Sequence, residues 1–555
     1  MDKKKIISCI PIFVICFVPL LVFLNIGSTE LATYDWFSAS DTEYDFFLIC
    51  KAFVTVSAAI FMLLLIEGSV FSNINKLSKQ EHMVFIPVAV YILFAIISAL
   101  CAGGKSDRVF GGYAQHESVV VLCAYIIIFL YTYTKAKSEY ADYYIKKIFL
   151  FIFICAGVLS FVGVSQFLSC DVIMSDAVKK IITFGSGLDS SRISLSFPDK
   201  TVYMTLYNPN YVGSFVCLVL PIVSAAFLIW KNKIAKAVSA AVVVMLVVSL
   251  IGSDSQAGII GLICEVFIIV FIFAVKKMKK NSMIACAGIG AVLAVVICVA
   301  TVCAISSKND VAKVNKLTQI NIVENEVQAV ISGKTVNIDA PVVCEDYSVE
   351  KSESPEGLKG LNLICDGNVY FFTNDNEDGR YYYRNVYGKY TDDFYVAPKQ
   401  ETSFIPESFA SGRGYIWNRT FPLIKDNIFI GCGPDNFAYE FPNNDYVGMT
   451  NNGYAGQVMT RPHNMYLQTA VQTGLISLVA FLALYVLYSV YSVQALRKCN
   501  GVTKEFIICA AVYTAVSGYM ICGLANDSTV CVAPIFWLLL AAGFGYNMMI
   551  IKERK

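Results

Sequence analysis

Runs of about twenty apolar residues recur along this chain, and nothing else in it constrains the fold as strongly. A helix of roughly 20 apolar residues crosses a hydrocarbon core. Lipid offers backbone N–H and C=O groups no partner, so such runs fold as helices that satisfy their own hydrogen bonds. Twelve segments fit: 7–26, 46–66, 84–102, 118–134, 148–168, 211–230, 237–252, 257–275, 282–304, 472–493, 506–524 and 529–550. Composition agrees, with 56% hydrophobic and only 15% charged residues over 555 positions. A soluble domain carries about 25% charged residues, and the mean hydropathy here is +0.60. These values exclude a string of soluble domains, a disordered chain and a secreted disulfide scaffold. A formal net charge of +1 gives no basic face for nucleic acid, and 3 His leave little for a His-based metal centre. The expected fold class is an all-α polytopic membrane protein with about 12 transmembrane helices.

The first span follows Met1-Asp-Lys-Lys-Lys5 and lacks a small-residue cleavage site, so it reads as a retained helix. Lys and Arg concentrate in 135–147, 231–236, 276–280 and 551–555, which makes that side cytoplasmic and puts both termini inside. The expected location is a bacterial cytoplasmic membrane. Three segments then lie outside: 103–117, 169–210 and a domain at 305–471. The division is a membrane domain at 1–304 with spans one to nine, the extracytoplasmic domain at 305–471, and spans ten to twelve at 472–555.

Within the outer domain, 313–400 reads as a β-rich insert. Val327–Ile331 and Thr335–Ile338 flank Ser332-Gly333-Lys334 as a hairpin, and 367–372 and 380–384 read as further strands. The Tyr content of this insert suits strands first, and stacking against sugar rings second. The part at 405–471 is helical, with Trp417, Phe421 and Ile424 on one face and Pro422 expected to kink or end the helix. Gly431-Cys-Gly-Pro-Asp-Asn436 reads as a tight turn. Most of the 19 Cys sit in spans as small apolar residues; outside, Cys344 and Cys365 either pair or stay as thiols.

Three polar stretches are placed where chemistry is possible. Arg461-Pro462-His463-Asn464 is expected to open a helix that continues through Gln468 and Gln472 into the tenth span. A helix N-terminus favours neutral imidazole, the form a general base needs, and offers N–H groups to phosphate. Arg413 lies between Gly412 and Gly414, and Asn208-Pro209-Asn210 stands at the mouth of the sixth span. Taken singly, each has an ordinary explanation: an interfacial Arg, a surface Arg beside a Trp anchor, a helix cap. Glu265 falls mid-span, where an ionisable group is expensive, and serves either a bundle-internal bond or a glycan groove. Lys51 is expected to snorkel from the outer end of its span.

Together, Tyr207–Gly213, Gly412-Arg413 with Trp417, Gly431–Phe437 and Pro462–Gln468 with Thr473-Gly474-Leu475 occur in an order that resembles the O-antigen ligase and O-antigen polymerase superfamily of bacterial membrane glycosyltransferases. The resemblance covers roughly 80–550, with the β-rich insert peculiar to a subgroup. It implies a GT-C-related membrane fold and transfer of a glycan from an undecaprenyl-diphosphate carrier to a glycan, lipid-linked or protein acceptor. It also implies inversion at the sugar, no metal and no other cofactor, and a site on the extracytoplasmic face. His463 and Arg413 match the family's outer-loop His and Arg, and Glu117 matches its glutamate near the fourth span. One departure stands out: Gln256 occupies the place where many members carry a phosphate-holding Arg. Arg461, Arg192 and Lys200 are the substitutes on offer, and Asn464, Asn208 and Asn210 complete the expected substrate contacts.

Two other classes stay open at this point. A polysaccharide or lipid-carrier flippase also suits twelve spans, and a non-catalytic sensor of envelope glycan would use the insert. Only an enzyme needs Arg413 and His463 in one groove lined by the sixth and eighth spans.

Overall fold

A computed structural model describes residues 3–38, 40–66, 78–103, 106–195, 197–277, 315–323, 325–397 and 405–553. Its long helices follow the apolar runs: α1 (Lys3–Phe17), α2 (Ile49–Leu65), α3 (Lys79–Cys101), α4 (Val119–Ala136), α5 (Ala141–Phe167), α6 (Pro209–Ile229), α7 (Lys233–Gly252) and α8 (Gln256–Lys277). After the β-containing part come α9 (Arg413–Asp426) and α10 (Met465–Thr473), then α11 (Leu475–Lys498), α12 (Lys504–Cys522) and α13 (Ala533–Glu553). Among the described residues nine helices are long and apolar enough to cross a membrane. Of the twelve expected spans, the first two are shorter helices of 15 and 17 residues. The first stops at Phe17, where Val18–Leu20 turns into a 3-10 helix containing Pro19. The span expected at 282–304 lies outside the described residues.

The bundle closes around α13, which is buried along nearly its whole length and packs against α4, α11 and α12. Its Trp537 sits among Tyr91 of α3, Tyr125 and Phe129 of α4, and Phe481 of α11. The second buried helix, α6, packs against α12, α7 and α8. Lipid supplies no hydrophobic drive between helices, so close contact depends on small residues and internal polar bonds. Gly213 of α6 and Gly258 of α8 provide this contact: a Cβ on either would strike the other's backbone. Asn547 of α13 donates to Ser492 Oγ of α11 at 2.9 Å.

Lys51 corrects its sequence expectation. It is fully buried, and its Nζ donates to the carbonyls of Leu21 (2.6 Å), Phe47 (2.8 Å) and Thr205 (2.8 Å). The ammonium joins three chain segments instead of reaching for solvent. Glu265 is buried where α8 meets Gly518 of α12, with no hydrogen-bond partner for Oε1 among the described residues.

Helices α2, α4, α6 and α8 start at one end of the bundle, and α3, α5, α7 and α12 finish there. The connecting segments therefore gather at that end, and hydrogen bonds tie them together. Asn385 donates to the Asp35 carbonyl at 2.8 Å, Tyr439 to Asp107 Oδ2 at 2.7 Å, and the Met465 amide to the Gly523 carbonyl at 2.9 Å. A short ladder pairs β1 (Asn25–Ser28) with β2 (Thr42–Asp45) in the first of these loops.

The β-containing part has two antiparallel sheets. Strands β3 (Leu317–Val323), β4 (Glu326–Ile331) and β5 (Lys334–Asn337) form one, in the order β3-β4-β5. The expected hairpin is β4–β5; β3 has no expected counterpart. The second sheet is a meander of β6 (Val342–Val343), β7 (Tyr347–Glu353), β8 (Lys359–Cys365), β9 (Asn368–Thr373), β10 (Tyr382–Arg384) and β11 (Tyr390–Thr391). Its longest pairing, β7–β8, was not read from the sequence. Alternation buries Leu361, Leu363 and Cys365 of β8 with Tyr370 and Phe372 of β9, and this core includes Leu317, Ile320 and Val447. Cys344 and Cys365 are free thiols, one exposed and one buried.

Candidate active site

The polar stretches singled out in the sequence meet at the gathered end of the bundle. Helix α9 begins at Arg413 because Gly412 takes the left-handed conformation just before it, with φ of 86°. Trp417 lies one turn further on the same face, and its indole donates to the Pro462 carbonyl at 3.0 Å. That bond brings the Arg413 face of α9 onto the segment holding Arg461 and His463. Pro422 does not end the helix, which continues to Asp426.

The segment 461–464 is not the first turn of a helix, as the sequence suggested. Asn464 is the N-cap and α10 starts at Met465. Asn464 Oδ1 accepts from the amides of Tyr466 and Leu467, both at 3.0 Å, and its Nδ2 donates to the Leu524 carbonyl at 2.8 Å. The Met465 amide goes to the carbonyls of Gly523 and Asn526, and that of Gln468 to Asn464. Every early amide of α10 is thus bonded within the protein, and Asn464 is its cap. The helix also breaks at Gly474, with φ of 86°, before α11 begins.

His463 precedes the cap with φ of 52°, a conformation uncommon for a residue with a Cβ. Its Nδ1 lies 2.9 Å from Oδ2 of Asp527, whose side chain is fully buried, while the imidazole is about one-third exposed (32%). The other Asp527 oxygen accepts the Asn464 amide at 3.2 Å. Facing a carboxylate, Nδ1 is the donor, which leaves the Nε2 lone pair open. Asp527, rather than a helix end, sets the imidazole's tautomer and direction.

Two guanidinium groups flank this pair. Arg461 is buried, donates from Nη1 to the Tyr211 hydroxyl, and lies over the rings of Tyr207 and Tyr211; its Nη2 has no partner among the described residues. Burial opposes its charge, but Tyr211, Asp527, Tyr207 and Asp435 outweigh that and hold it above the usual arginine range. Arg413 has no hydrogen bond or ion pair among the described residues, and its Nε is buried and unpartnered. Burial pulls its pKa below the usual value, against the fields of Tyr454, Asp527 and Tyr211. Both cations therefore share Asp527 and Tyr211 as electrostatic neighbours, and Tyr211 lies in the first turn of α6.

The start of α8 joins the same place. Ser255 Oγ donates to the Asn210 carbonyl at 3.2 Å, and Asn526 Nδ2 donates to that carbonyl at 3.0 Å. Asn208 caps α6 through Oδ1 to the Asn210 amide at 2.9 Å. Gln256 opens α8, half-buried, one residue beyond Ser255. Arg192 and Lys200 are exposed, and no hydrogen bond, ion pair or ring contact among the described residues joins them to the cluster. Of Arg461, Arg192 and Lys200, Arg461 is the one that belongs to the cluster.

Behind the cluster lies a carboxylate layer that sequence reasoning saw only through Glu117. That residue is buried: Oε1 accepts from Tyr125 (2.6 Å) and Ser528 (2.9 Å), and Oε2 from Gln468 (3.3 Å). These bonds reach both oxygens and tie Glu117 to α4, α10 and the segment at Ser528. Burial lifts its carboxyl to about 7, with Tyr125, Ser528 and Arg461 pulling the other way. Asp435, in the expected tight turn, accepts the amides of Gly112 (2.9 Å) and Glu117 (2.7 Å), and burial lifts it to about 6. Gly431 in that turn has φ of 79°, and a Cβ there would strike the Gln472 backbone. His116 pairs with Glu43 at 3.3 Å, both buried, so its ring is closed to ligand.

Asp527, Asp435 and Tyr211 are the residues the sequence reading missed. Asp527 sits in Asn526-Asp527-Ser528-Thr529, four polar residues between two apolar runs, and that interruption was the available signal.

A bundle of apolar helices with two arginines and a carboxylate-held histidine at one end defines a membrane protein with a polar cluster where its connecting segments gather. Residues 240–482 match the family model described as O-antigen ligase, in agreement with the resemblance seen in the motifs. The match runs from α7 through Arg413, Arg461 and His463 into α11, and it points to glycan transfer. A search of the curated proteins finds no match.

Proposed function

We propose that this protein transfers a glycan from an undecaprenyl-diphosphate carrier to an acceptor hydroxyl or amine on the extracytoplasmic face of a bacterial cytoplasmic membrane, with inversion and without a metal. One observation carries the reading: two arginines, Arg461 buried and Arg413 half-buried, each keep one buried N–H donor without a partner among the described residues and flank a histidine whose Nδ1 is fixed by a buried carboxylate. The O-antigen ligase match over 240–482 supports it.

In the step itself, the acceptor oxygen forms a bond to the anomeric carbon as the bond from that carbon to the diphosphate oxygen breaks. The acceptor proton passes to His463 Nε2, while Asp527 holds Nδ1 and stabilises the imidazolium. Negative charge grows on the leaving diphosphate, and Arg413 Nε and Arg461 Nη2 are the donors aimed at it. A buried donor with no protein partner is worth most here, because the site has already desolvated it. Arg461 takes the part of the family arginine that Gln256 lacks.

The test is release of undecaprenyl diphosphate from a short lipid-linked glycan by protein reconstituted in lipid, with EDTA present. His463→Ala and Arg413→Ala should each lower turnover by at least about 100-fold while the protein still inserts. Wild-type rates in both variants would sink the reading, and tight donor binding without release in the wild type would favour a flippase.

A further inference from the structure

Three loops that are far apart in sequence are joined through two carboxylates. Asp435 belongs to the turn 431–436, yet its Oδ2 takes the amides of Gly112 and Glu117 from the loop between α3 and α4. Glu117 passes the connection on. Its Oε1 accepts the Ser528 hydroxyl, and Gln468 of α10 bridges from its Oε2 to the Ser528 amide at 2.8 Å. Ser528 follows Asp527, which holds His463. Asp435 itself is buried, its Oδ1 has no partner among the described residues, and its φ is 60°. A non-glycine residue in that region persists only where its surroundings over-determine it. An aspartate whose second oxygen stays unmatched is therefore kept for the two amides it holds.

We infer that Asp435 is a positioning residue for the transfer, fixing the 112–117 loop so that Glu117 and Ser528 hold Asp527, and through it His463, in register with Arg461. Nothing in this arrangement brings Asp435 to the substrate. Its effect belongs in the chemical step rather than in donor affinity, which Arg413 and Arg461 supply. The kinetic part of the inference rests on the proposed glycan transfer; the geometric part does not.

The experiment separates the two. Diethyl pyrocarbonate labelling of the intact protein in lipid, followed by peptide mass spectrometry, reads the reactivity of His463 without any substrate. The exposed His82, bonded to the Ser78 carbonyl, serves as internal reference. Asp435→Ala should raise His463 labelling at least about threefold relative to His82, because the imidazole is held less firmly. Asp435→Asn keeps an oxygen for the two amides and should restore most of the native rate. Ser528→Ala cuts the same chain downstream with a mild change, and should raise labelling too. Adding Asp435→Ala to it should add little, the behaviour of residues acting in series. With the lipid-linked donor, Asp435→Ala should lower kcat about tenfold and leave KM within twofold. Unchanged His463 labelling in folded Asp435→Ala or in Ser528→Ala would overturn the inference, as would a change in KM in place of kcat. Absence of turnover in the wild type would overturn the transfer reading alone and leave the labelling result to decide this one.

Discussion

Helix α9 carries two arginines, and they have opposite surroundings. Arg419 donates to Asp445 at 2.9 Å and to Glu407 at 2.8 Å, and its guanidinium lies 3.7 Å from the centre of the Tyr415 ring. Arg413, a turn and a half earlier, has no protein partner among the described residues and is half-buried, with its Nε sealed from solvent. A buried ion pair holds structure because removing one member strands the other. A buried cation without a partner destabilises the protein unless something else supplies the anion. The first arginine belongs to the fold; the second is the one the proposed transfer gives to the leaving diphosphate. The two histidine–carboxylate pairs repeat the contrast: His116–Glu43 is closed on all sides, whereas His463–Asp527 leaves one nitrogen open.

The comparison breaks first at the arginines. Arg413→Met should abolish transfer, a loss of about 100-fold or more, and leave the melting temperature unchanged or higher. Arg419→Met should do the reverse, losing about 3–5 kcal/mol of stability while the surviving folded protein turns over normally. Equal effects of both on melting would place Arg413 in the fold as well.

A second effect comes from the carboxylates behind the site. Burial raises Glu117 to about 7 and Asp435 to about 6. A carboxyl whose folded value exceeds its unfolded value binds more protons when folded, so stability is fully present below about pH 4, falls as pH rises, and levels above about 7. Glu117 alone accounts for about 3 kcal/mol of this. The melting temperature in lipid should drop between pH 5 and 7.5, and Glu117→Gln should remove much of the slope. A slope left undiminished by the substitution would mean that Glu117 does not carry it.

The smallest effect separates cap from contact. Asn464→Asp keeps an acceptor for the Tyr466 and Leu467 amides, whereas Asn464→Ala removes it at about 1 kcal/mol. If Asn464 is only a cap, donor KM should stay the same in both variants, and a KM that rises in Asn464→Asp would return it to the substrate.

Much of the fold was legible because lipid is a strict solvent. Most described apolar runs became helices close to their expected limits, although α1 stops well short at Phe17 and α5 begins early at Ala141, and α6 starts where Asn208-Pro209 said it would. The β4–β5 hairpin was legible from Ser332-Gly333. Strands β7 and β8 were not, since Tyr347–Glu353 is polar along half its length and pairs only because β8 lies beside it. His463, Arg413 and Arg461 could be singled out as chemistry in a chain with few charges. Asp527 could not be assigned to His463, because the two stand 64 residues apart and only the contact of α10 with the 523–532 loop joins them.

The sequence by itself determined the membrane bundle, the position of the extramembrane part and the residue types able to bind an anion and move a proton. These follow from local composition and periodicity, which each segment carries alone. Only the tertiary structure decided which cation is paired and which is free, which histidine is open, and that Lys51 is sealed among carbonyls. Those outcomes depend on what another part of the chain places within hydrogen-bond reach.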